Sequence, residues 1–109
     1  MPTVYKVLGQ SAPAATTLST LYTVPAATEA VVSTLAIANR AVTSGTYRIA
    51  IRPAGASIAN QHYLVYGATV AASDSVLLTL GITLATTDVI SIFASSADMS
   101  FTAFGSEIS

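Results

Sequence analysis

Few side chains in this sequence have the types needed for chemistry. Arg48 and Arg52 stand four residues apart in TYRIAIRP, and Arg40 closes the run STLAIANR. Three guanidiniums could grip a phosphate or a carboxylate, because each presents a planar fork of N–H donors. His62, Tyr63 and Tyr66 lie together in QHYLVY. A tyrosine pair beside a histidine is the kind of grouping that stacks on a sugar ring. Five acids, Glu29, Asp74, Asp88, Asp98 and Glu107, are spread through the chain without a DxDxD-type run. Asp74, Asp88 and Asp98 each follow small residues and precede an apolar stretch, where a carboxylate caps a turn by accepting backbone N–H groups.

Other chemistries find little to build on. The chain has no cysteine and a single histidine, which leaves no disulfide and no Cys- or multi-His zinc set. GxSxG, GxGxxG and GxxxxGK[ST] are all absent, and Gly55 and Gly67 read as loop glycines. No catalytic residue, metal or cofactor is expected. With four basic and five acidic side chains the net charge is −1, against the basic excess of a nucleic-acid module. The arginines are therefore expected to meet acids of a neighbouring subunit or another partner rather than phosphates.

Period-two alternation places these residues on strands. Tyr47, Ile49 and Ile51 share one face, Arg48 and Arg52 the other. Val76, Leu78 and Leu80 repeat the pattern, followed by Ile90 and Ile92, then Met99, Phe101 and Ala103. Strands are expected near 3–8, 19–24, 30–38, 45–52, 62–66, 74–81, 87–94 and 99–104, separated by turn-like segments such as PAATE, PAGASIANQ, GATVAAS and SSAD. The expected fold is all-β: one antiparallel β-sandwich domain over 1–109, jelly-roll or immunoglobulin-like, with about eight strands and negligible helix. Tyr47, Ile49, Ile51, Val76, Leu78, Leu80, Ile90, Ile92 and Phe101 form the expected core, and Leu78→Ala should cost about 2–5 kcal/mol. Residues 24–33 and 82–91 share a strand–turn–strand grammar, with Thr28 matching Thr86, as a short internal duplication would leave.

Only 8% of residues are charged, against roughly 25% in an average soluble domain. Twenty alanines raise the hydropathy, yet no apolar run reaches the roughly 18 residues of a membrane helix. No basic stretch leads into an apolar one as in a signal peptide. A soluble protein made inside a cell is expected, with no membrane or nucleic-acid partner. Its Ala, Thr and Ser surface loses little when desolvated, so much of it is expected to lie against copies of itself or a scaffold.

The residues MPTVYKVLGQSAPAATTLSTLYTVPAATEAVVSTLAIANR, with TYRIAIRPAGA, SVLLTLGITLATTDVI and the closing FTAFGSEIS, resemble small proteins encoded among the virion genes of tailed bacteriophages. The likeness runs nearly end to end and consists of strand and turn grammar. It implies a non-enzymatic, β-rich particle component located in the virion after synthesis in the host cytoplasm. A homo-oligomer contacting major capsid or tail proteins is the expected form, most directly a capsid decoration or cement protein. A tail, baseplate or fibre-associated module is the alternative. A carbohydrate-binding domain using His62, Tyr63 and Tyr66 is a further one.

Overall fold

A computed structural model describes residues 3–109. Eight strands follow one another: β1 (Thr3–Ser11), β2 (Ser19–Thr23), β3 (Glu29–Asn39), β4 (Gly45–Arg52), β5 (Tyr63–Val70), β6 (Ser75–Leu84), β7 (Val89–Ala94) and β8 (Met99–Ile108). Two single 3₁₀ turns at Pro53–Gly55 and Asn60–His62 are the only helical elements among the described residues. Each expected strand is present, and five of them run further than their apolar patterns reach. Thus β5 continues through Gly67 to Val70, so Gly67 is a strand residue and not a loop glycine.

The strands form two four-stranded antiparallel sheets, ordered β1-β8-β3-β6 (sheet A) and β2-β7-β4-β5 (sheet B). Strand 1 pairs with 8, 2 with 7, 3 with 6 and 4 with 5. The chain is thus one long antiparallel ribbon rolled up so that β8 meets β3 and β7 meets β4. That is the jelly-roll order; an immunoglobulin sandwich would instead pair consecutive strands as hairpins.

The core lies between the sheets. Leu35, Ile37, Ile49, Ile90, Ile92, Met99 and Phe101 are fully buried there, and the Tyr47 ring meets Phe101 edge-on across the sheets, 6.4 Å between centroids. All nine expected core residues pack on this side. Ile51, Val76, Leu78 and Leu80 are only half-buried, however, because β6 is the edge of sheet A and Ile51 nears the end of β4. The cavity left by Leu78→Ala would open to solvent, which puts its cost at the low end, about 2 kcal/mol.

Strand β3 supplies core residues that alternation alone hides. Ala30 and Val32 face inward, and so do Leu35 and Ile37, because a bulge at Ser33 shifts the phase by one residue. Gly105 fits opposite this bulge, where a Cβ would overlap the Val31 carbonyl oxygen. The closely approaching backbones leave no room for any other residue.

The two related turns do meet in space. Thr86 Oγ1 donates to the Thr28 carbonyl at 2.7 Å and accepts from the Thr28 N–H at 3.3 Å. They are different turns nonetheless: the left-handed residue is Ala27 (φ 55°) in one and Thr87 (φ 68°) in the other, which are not matched positions. A β-branched residue is unfavourable in this region. Thr87→Gly is therefore expected to raise stability by about 1 kcal/mol, measured as an upward shift of the denaturant midpoint at unchanged slope.

Candidate functional site

The outer face of sheet B gathers most of the residues that the sequence singles out. Arg48 on β4 pairs directly with Phe93 on β7 and Tyr66 on β5. Its guanidinium carbon lies 4.1 Å from both ring centroids, so the cation is held between two π-faces. Tyr63 meets Tyr66 edge-to-face at 4.9 Å. Phe93 has no place in the arginine and tyrosine groupings of the sequence. The available signal was its phase, opposite to Ile90 and Ile92 and therefore on the arginine side of the sheet.

Arg52 acts as a brace. Its Nε donates to Ser91 Oγ at 3.0 Å, and its Nη1 donates to the Ala56 carbonyl at 3.1 Å. Asp88 secures the same segment, accepting from the Ala54 N–H at 2.8 Å and the Ala85 N–H at 2.9 Å. Residues 53–56 are thereby drawn onto sheet B, where Ala50, Val89 and Ser91 are buried although they point away from the core. His62 closes the second 3₁₀ turn, its Nδ1 accepting the Ala59 N–H at 3.1 Å.

Arg40 lies elsewhere. It donates to Ser100 Oγ and the Ala97 carbonyl where β3 ends beside β8. The three arginines thus form one pair and one separate brace, rather than a single cluster. All three make polar or stacking contacts within the chain. Turn capping by acids is similarly mixed. Asp88 caps two amides and Asp74 accepts from Ser75, whereas at 96–98 the Ser96 hydroxyl accepts the Asp98 N–H.

Two polar constellations escape a local reading. Glu107 accepts from the Tyr22 hydroxyl at 2.5 Å and pairs with Lys6 Nζ at 3.1 Å. Burial and the Glu107 hydrogen bond push the Tyr22 phenol well above the ordinary tyrosine range. The Tyr22 hydroxyl, and then Lys6, hold the Glu107 carboxyl below its usual value against the opposing effect of burial. The second constellation surrounds Asn39 at the end of β3, whose side chain bonds to Ala41 and Thr43 of the following loop and to Val70 at the end of β5.

The Glu107 contacts predict pH dependence on both sides of neutrality. A carboxyl whose folded pKa is lowered stabilises the fold above its unfolded pKa of about 4.3, and that contribution fades as pH falls through the folded value. A phenol whose folded pKa is raised stabilises below its unfolded pKa of about 10, and that contribution fades as pH rises beyond it. Glu107→Gln should flatten the acid limb of the stability curve, and Tyr22→Phe the alkaline limb. Urea midpoints from pH 2 to 11 check both.

The outer face of sheet A is of another kind. Tyr5, Val7, Val31, Ala36, Leu77 and Phe104 lie there among serines and threonines, with Tyr5 84% and Leu77 65% exposed. Glu29 and Arg40, the latter reaching Ser100 Oγ, lie at opposite margins of this face and leave its middle without charge among the described residues. Such a face can make extensive contact at small desolvation cost. A shallow hollow on it is lined by Tyr5, Lys6, Val31 and Phe104. Among the described residues no three His, Asp or Glu side chains converge as a metal site, and no helix is long and apolar enough to cross a membrane. No protein-family model and no curated protein sequence matches the chain.

Proposed function

We propose that this chain is a non-enzymatic structural component of a tailed-phage virion, most directly an oligomeric capsid decoration or cement protein. The observation that carries the reading is the outer face of sheet A, charged only at its margins, with Tyr5, Val7, Leu77 and Phe104 exposed on it. Its fit is to another protein surface, where area rather than charge supplies affinity. The jelly-roll order adds support by analogy, since capsid domains use it; lectins and cupins use it too, so it does not decide function by itself. The polar braces at Arg40 and Arg52 suit a rigid building block, because they hold turns in place.

A tail, baseplate or fibre-associated role draws on the same face, and copy number separates the two. Purified particles holding on the order of hundreds of copies indicate the head or the tail tube, and roughly six to a few dozen indicate baseplate, neck or fibre. Absence of the chain from particles overturns the reading. For carbohydrate binding, the favouring observation is that Tyr66 is 65% exposed. Arg48 already covers one face of that ring, which leaves less of it for a sugar. Binding of the free protein on a glycan array would favour this alternative.

A further inference from the structure

The four sheet edges are not alike. β1 carries Lys6, and β2 has five residues and is soon followed by Pro25. These are the usual guards against edge-to-edge pairing. On the other flank, β5 and β6 are joined by residues 71–74 and edge their respective sheets. Neither strand contains a charge or a proline, although both depart from regular register, β6 at Leu80–Gly81, and β6 runs for ten residues, SVLLTLGITL. The row Val76, Leu78, Leu80 and Ile82 packs against the core but stays half-buried along its whole length.

We infer that the β6 edge pairs antiparallel with β6 of a second copy, joining two A sheets into one of eight strands. Three features favour a copy of the chain as occupant. A two-fold antiparallel pairing sets this uncharged edge against itself, so no like charges are opposed. Each half-buried apolar row is then covered by the equivalent row of the partner. The area is also adequate. A flank about 33 Å long at ~3.3 Å per residue and 19 Å thick, the smallest extent of the molecule, presents roughly 600 Å² per copy, so about 1,200 Å² is covered in the pair, within the range of specific interfaces. An edge of this length adds about ten backbone hydrogen bonds, as many as a typical interface carries. The inference does not rest on the virion reading, and either can fail without the other.

The test combines sedimentation equilibrium with amide hydrogen exchange on the full chain. The expected result is a dimer whose β6 amides gain protection as protein concentration rises. Leu77→Lys combined with Thr79→Lys should weaken the dimer by at least about 100-fold, since edge lysines block such pairing. Both positions are exposed, so the fold should survive, as circular dichroism would verify. Thr20→Lys, at an exposed position on β2, the opposite edge of sheet B from β5, adds a charge far from the flank and should leave the dimer intact. A protein that stays monomeric at about 100 μM, far above the Kd of a specific pair, overturns the inference. So does a dimer in which β6 exchange is independent of concentration, or one that persists in the double-lysine variant. Should that variant misfold, the exchange of the unaltered protein decides.

Discussion

Asn39→Asp is expected to destabilise the protein by about 3–5 kcal/mol at neutral pH. Asn39 is 3% exposed at the end of β3. Its Nδ2 donates to the carbonyls of Thr43, Val70 and Ala71 at 2.9, 3.2 and 3.3 Å, and its Oδ1 accepts the Ala41 N–H at 3.0 Å. One side chain thus ties the 40–44 loop to the end of β5, where the rolled ribbon turns back on itself. Aspartate would aim an anion at three carbonyl oxygens and leave them without a donor. Burial among carbonyl oxygens raises the pKa of the introduced carboxyl, so protonation should restore part of the loss as pH falls from neutral toward the unfolded value of about 4. Asn39→Ala removes the donors without adding the charge, so its cost should be smaller, about 1–3 kcal/mol. Denaturant unfolding of the three proteins measures both values. An Asp variant within 1 kcal/mol of Asn39 would show that the knot is not closed in solution.

Phe101→Ala should cost a similar amount, about 3–5 kcal/mol. Phe101 is fully buried on β8, between β1 and β3, and its ring touches Tyr47 on the opposite sheet. Its loss leaves a void at the junction of the two sheets, where the surrounding strands are held by ladders on both sides and collapse poorly. Phe101→Leu keeps most of the volume and should cost less than half as much. The unfolding midpoint with unchanged denaturant slope is the readout. A loss below about 1 kcal/mol would place Phe101 at a yielding edge rather than in the core.

Strands were the legible part of this chain, because half-buried strands write their faces as alternation. Tyr47-Ile49-Ile51 against Arg48-Arg52 shows it most clearly. The phase of β3 was not legible, because the bulge at Ser33 interrupts the period inside one apolar run. Strand order was legible only as a choice between two sandwiches. Seven of the eight strands find their partners through contacts between distant residues, and alternation says which side of a strand is buried but not which strand lies next to it. The same reasoning applies to the sites. Arg48 and Tyr66 were singled out from type and phase, but their stacking with Phe93 depends on β7 lying beside β4. Tyr22 and Glu107 are 85 residues apart, and Asn39 reads as an ordinary strand end until the ends of β3 and β5 are seen to meet.

The central claim is that this β-sandwich serves as a particle component held by uncharged area. The most direct measurement is sedimentation of purified phage particles at low salt and at about 1 M salt, where the screening length shrinks to roughly 3 Å, with the chain quantified in each pellet. The account predicts many copies per particle, retained at both salt concentrations, because the outer face of sheet A has almost no charge to screen. Particles that lack the chain, or that release it as salt rises, would contradict the account.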